Sequence, residues 1–128
     1  MSYHISKVVN LSFEEAENRI REELINVGFG ILTEINVKKT LKERINEEFR
    51  DYKILGACNP KIAHKALLSD DKLGVMLPCS VVIQKHQNGD VEISIMNPVP
   101  FINLTNNENV TKFANDIEFL LNSAMERI

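Results

Sequence analysis

The sequence predicts an α+β domain: a curved antiparallel sheet with two main helices on one face, in the order β-α-β(4)-α with short inserted helices. Three observations predict it. Segments of period two alternate with segments of period 3.6. The stretch "HQNGDV", residues 86–91, marks a tight hairpin between two alternating strands. No glycine-rich phosphate loop comes after the first strand, which sets aside a doubly wound parallel sheet. The chain has 128 residues, 44% of them hydrophobic, which suits a single domain over 1–128 with one core.

Tyr3 to Val9 alternates as a strand and ends at Asn10. Ser12 and Glu15 form a capping box with Leu11 as a staple, and Phe13, Ala16, Ile20, Leu24 and Val27 recur at helical spacing. Gly28 suits the left-handed residue after that helix. Phe29 to Ile35 reads as a strand and Asn36 as a cap, with Val37, Leu41, Ile45 and Phe49 as the stripe of a second, charged helix. Tyr52 to Cys58 carries apolar or small side chains on both faces, as a strand covered on both sides would. Asn59 and Pro60 then open a short third helix as its cap and first residue. Asp70 and Asp71 make a turn, Leu73 to Leu77 a connector, and Pro78 leads into a strand over Cys79–Lys85.

The hairpin register is set by pairing. A two-residue Asn-Gly turn sets Ile83 against Ser94, whereas a three-residue loop, Gln87-Asn88-Gly89, sets Ile83 against Ile93 and Val81 against Ile95. The longer loop keeps apolar with apolar and turns Cys79 toward the core. The prolines of "NPVPF" stop the last strand, and Val110, Phe113, Ala114, Ile117, Leu120, Leu121 and Ala124 define a long C-terminal helix.

Composition narrows the function classes. A net charge of −3 argues against a nucleic-acid partner. No charged leader and no bilayer-length apolar run is present, so a cytoplasmic protein without a membrane partner is expected. Two cysteines are too few for a disulfide scaffold, and reduced thiols are the expectation. Charge is uneven: Lys38 to Lys65 holds eight basic and four acidic residues, which makes a local anion site or a set of solvated helix faces.

Chemistry concentrates in "ILGACNPKIAH", residues 54–64. Cys58 ends a strand directly before a helix, where free amides favour a thiolate. An antiparallel meander brings Cys58 and Cys79 to the same end of the sheet, and His64 lies one turn into the helix. Four readings are open. The residues are core cysteines, a cap and a surface or half-buried histidine; or Cys58 is a thiolate, Cys79 its resolving partner and His64 a base. Alternatively the three hold a metal, although no Cys-x-x-Cys element supports this and neither metal nor cofactor is expected. The fourth reading is a small-ligand or anion site formed by Asn59, Lys61 and Ile62. His4 and His86 stand alone on strands, and no Gly-x-Ser-x-Gly, phosphate-loop or His-Glu-x-x-His motif occurs.

Through "GFGILTEINVKKTLKERI", "YKILGACNP" and "LPCSVVI", the chain resembles a bacterial and archaeal family, domain of unknown function 302. The shared features are Gly28, Phe29, Gly30, Thr33, Glu34, Gly56, Ala57, Cys58, Asn59, Pro60, Leu77, Pro78 and Cys79, with departures at Asn36 and Ser80. The resemblance implies a TATA-binding-protein-like arrangement and a homodimer, and no established activity. The leading expectation is a module that binds a small molecule or anion near the Cys58–Lys61 joint and Cys79. The alternatives are a thiol-dependent enzyme and a structural or protein-interaction dimer.

Overall fold

Strands β1 (His4–Val9), β2 (Gly30–Asn36), β3 (Tyr52–Cys58), β4 (Cys79–Lys85) and β5 (Val91–Met96) form one sheet, in a computed structural model that describes residues 2–128. Its order is β1-β5-β4-β3-β2, and every neighbouring pair is antiparallel. Helices α1 (Phe13–Asn26) and α4 (Glu108–Glu126) cover one face; α2 (Val37–Ile45) and α3 (Pro60–Ser69) are the short insertions. Two 3-10 turns, Leu73–Met76 and Val99–Leu104, complete the order. The fold is therefore α+β with a five-stranded antiparallel sheet.

Local chemistry accounts for each boundary. Ser12 accepts from the Glu15 amide while Glu15 accepts from the Ser12 amide, so the capping box satisfies two otherwise free donors. At the other end, Gly28 takes φ 90°, and Phe29 donates to the Leu24 carbonyl while Gly28 donates to that of Ile25. This double bond is the Schellman closure, and it delivers Phe29 into the core at 2% exposure. The hairpin has the three-residue loop: His86 donates to the Asp90 carbonyl, Gly89 sits at φ 95°, and Val81 faces Ile95 and Ile83 faces Ile93.

Two expectations need correction. Phe49 does not extend the α2 stripe, because Asn46 adopts φ 55° and ends the helix after Ile45, a conformation that asparagine tolerates better than most residues. Phe49 instead places its ring 5.8 Å from that of Tyr52. Nor is β3 covered on both sides along its length. Leu55 and Ala57 are sealed beneath the helices, but Tyr52 and Ile54 face the side that no helix covers and are only partly buried. Within this chain no second layer packs over them.

The core joins Ala16, Ile20 and Leu24 of α1 to Leu121, Ala124 and Met125 of α4 over Leu55, Val81, Ile83, Ile93 and Ile95. Charged groups fasten its rim. Lys53 of β3 bonds Glu17 of α1 and Glu34 of β2, both at 2.8 Å, and Arg21 reaches the same two carboxylates at 2.9 and 3.1 Å. The hydrogen bond to Glu17, and after it that to Glu34, holds the Lys53 ammonium above the usual lysine range, and Lys53 in turn holds Glu34 below the carboxylate range. Lys7 donates to the carbonyls of Met125 and Ile128, placing a cation at the C-terminal end of α4 where the helix dipole favours one.

Candidate functional site

The strand-to-helix joint has the local structure its sequence demands. Asn59 caps α3, its Oδ1 accepting from the Ile62 amide at 3.2 Å, and Pro60 occupies the first turn where no amide hydrogen is needed. The cap also packs against the end of α1: a Cβ on Gly28 would lie 3.2 Å from Asn59 Nδ2. The Ile62 amide is thus already satisfied. Of the groups named for an anion here, Lys61 is exposed and Ile62 is half-buried with its donor engaged by the cap.

Cys58 and Cys79 do reach the same end of the sheet. Ala57 pairs with Cys79, so Cys58 lies one residue further along β3, and strand alternation assigns it to the opposite face. Both cysteines are free thiols. Cys79 is 4% exposed, and burial, with a smaller contribution from Cys58, pushes its thiol up to about 11. A neutral thiol of that kind is a poor resolving nucleophile near pH 7. His64 is exposed on α3. Among the described residues, no three His, Cys, Asp or Glu side chains gather as a metal site would require.

These positions set a chemical expectation. Alkylation of the folded protein at mildly alkaline pH will label Cys58 and spare Cys79 until the chain unfolds, as read by mass spectrometry of peptides. Labelling of both at equal rates would contradict the burial. Linkage gives the same thiol a pH signature. Its folded pKa is raised, so the neutral-thiol stabilisation is complete below the unfolded value near 9.0 and is lost as pH climbs toward about 11. A loss of about 2–3 kcal/mol across that window is expected in urea titrations, and Cys79→Ala should remove it.

Beside Cys79 lies a small, half-open apolar space. A cavity of about 70 Å³ opens between α4 and the sheet, walled by Ala66 of α3, Met96 of β5, Ala114 of α4 and the two 3-10 turns. Its walls are apolar apart from Thr105. The uncovered face of the sheet carries a different feature, a wide groove of about 440 Å³. Within it Ser94 Oγ bonds Ser6 Oγ at 2.7 Å, and Ser6 Oγ bonds His4 Nδ1 at 2.6 Å. His4, solitary in the sequence, is therefore part of a chain. The signal that finds this chain is the pairing of β1 with β5, which sets Ser6 opposite Ser94 across 88 positions of sequence.

The family described as Domain of unknown function DUF302 matches residues 5–128. Among solved structures, the "Crystal structure of uncharacterized conserved protein DUF302 from Bacillus stearothermophilus" is 28% identical, with a TM-score of 0.91, over 99% of this chain and 98% of that one. No curated protein matches the chain. Among the described residues, no helix is long and apolar enough to cross a membrane.

Proposed function

Since this chain belongs to the DUF302 family, whose description assigns no reaction, we propose from its geometry that it is a small-ligand binding module that takes an apolar molecule into the cavity beside Cys79. One observation carries this: a half-open concave space lined by side chains from α3, β4, β5, α4 and two 3-10 turns, with almost no polar atom on its surface. Pockets that hold small molecules are apolar and concave and lie between packed elements. The open-face groove is a weaker candidate, because its serines and His4 already satisfy one another and its walls are solvated. The anion half of the expectation loses support at the joint, where the Asn59 cap consumes the Ile62 amide.

At about 70 Å³ the cavity is smaller than the roughly 150 Å³ that admits benzene in other proteins. Its outer wall can give. Leu73–Met76 and Val99–Leu104 are single 3-10 segments held by short-range bonds such as Leu77 N to the Gly74 carbonyl and Phe101 N to the Pro98 carbonyl. Outward movement of either turn enlarges the space without breaking the sheet. Met76 and Met96 line it and adapt to different shapes.

Carbon-13 methyl spectra of Met76 and Met96, titrated with benzene and with indole, test this reading. Saturable shifts that vanish in Ala114→Leu, a substitution that fills the cavity, are expected. No shift in the wild type, together with a higher melting temperature for Ala114→Leu, would identify the space as a packing gap and overturn the proposal.

A further inference from the structure

Away from that cavity, the start of β3 and the end of β4 bring separated cations to one place. Lys38, Arg50, Lys85 and His86 line an open pocket of about 580 Å³ with Asp51 and Gln87. Three permanent cations face one carboxylate there, on a chain whose net charge is −3. Lys38 is paired with that carboxylate, Asp51, at 3.2 Å. His86 is engaged by Glu92 at 3.0 Å. Arg50 and Lys85 have no acidic partner among the described residues.

Arg50 is held without being neutralised. Its Nε donates to Gln84 Oε1 at 3.0 Å, and its Cζ lies 4.5 Å from the Phe49 ring centroid and 5.6 Å from that of Tyr52. Two aromatic rings and one amide therefore fix the guanidinium plane, while its terminal nitrogens have no protein acceptor among the described residues. An arginine fixed in this way presents a planar fork that matches two oxygens of one anion, and its rotamer entropy is largely spent before the ligand arrives. Phe49 serves this arrangement only because α2 stops at Asn46, which frees the ring to sit under Arg50.

We propose that this pocket binds the phosphate of a small phosphate monoester, with the Arg50 fork on two phosphate oxygens and Lys85 and Lys38 supplying the remaining charge. The dianion suits a cluster with two cations in excess. A nucleic-acid backbone does not, since it needs a longer basic track than one pocket on an acidic chain provides. Gln84 is a positioning residue: it touches Arg50 and not the ligand. The site is separate from the apolar cavity and stands or falls independently of it.

Amide and arginine side-chain NMR shifts, recorded while inorganic phosphate and then phenyl phosphate are added at constant ionic strength, test the site. Saturable shifts at Lys38, Arg50 and Lys85 are expected. Arg50→Gln should weaken binding about tenfold, the worth of one charge-assisted hydrogen-bonded pair. Arg50→Lys should weaken it nearly as much, because it keeps the charge and loses the fork. Gln84→Leu should lower affinity several-fold and broaden the Arg50 Nε resonance, a readout that a merely structural glutamine would not move. Lys112→Gln, on α4, should change nothing. All these residues except partly buried Gln84 are exposed, and a melting curve for each variant confirms folding. Linear, unsaturated shifts, equal binding by Arg50→Gln, or tighter binding of a single-stranded oligonucleotide than of phenyl phosphate would overturn the proposal.

Discussion

Gly56→Ala is expected to destabilise the protein by about 3 kcal/mol, read as a lower urea midpoint with an unchanged slope. The cause is steric. Gly56 lies in β3 between Thr33 of β2 and Ser80 of β4, and a Cβ built on it would meet Thr33 Oγ1 at 2.2 Å and Pro78 Cγ at 2.6 Å. Contacts that short do not occur, so either the strand pairing or the Pro78 ring must shift. Thr33→Ala removes one of the two obstructions and should restore part of the loss in the double variant, giving a coupling that independent sites would not show. A Gly56→Ala protein as stable as the wild type would mean that β2 and the Pro78 segment are not packed over this face. The motif glycine is thus explained by close approach of neighbours and not by any chemistry at the adjacent cysteine.

Truncating Ile83 to alanine should cost about 3–4 kcal/mol, while Val82→Ala, one residue earlier on the same strand, should cost less than about 1 kcal/mol. Ile83 is fully buried against Ile93 and the α1–α4 layer, and Val82 lies on the uncovered face beside Ser94. The contrast depends on the hairpin register. A slip by one residue would exchange the two faces and reverse the order of the effects. Guanidinium or urea unfolding of both variants reads the answer directly, and similar losses would indicate that both faces of the sheet are covered.

Much of this fold is legible in the sequence because its signals are local. The Ser12–Glu15 capping box, the Gly28 stop, the Asn59–Pro60 helix start and the Gln87-Asn88-Gly89 loop each depend on a few neighbouring residues, and each stands in the structure where its residues place it. The α2 boundary is harder to read, because Phe49 keeps the helical spacing while Asn46, three residues earlier, carries the stop. Periodicity and capping disagree there, and capping wins. The 3-10 turn at Val99–Leu104 is hidden by the prolines around it, which announce the end of a strand but not the conformation beyond it.

Sites are less legible than elements, for a physical reason. The gathering of Cys58, Asn59, Lys61 and His64 in one stretch of sequence suggests one place, but strand alternation sends Cys58 and Cys79 to different faces, and the helical turn leaves His64 in solvent. Conversely, the Ser94–Ser6–His4 chain and the Arg50 pocket join residues from distant segments and give no local signal. Caps, turns and a period of two suffice to place the five strands, α1, the start of α3, the hairpin register and the side of the sheet that Cys79 faces. Which edge strand β1 joins, how large a space is left beneath α4 and which cations stay unpaired emerge only when the elements assemble. Those features are set by packing and pairing between residues far apart in the chain, which side-chain patterns along one segment do not encode.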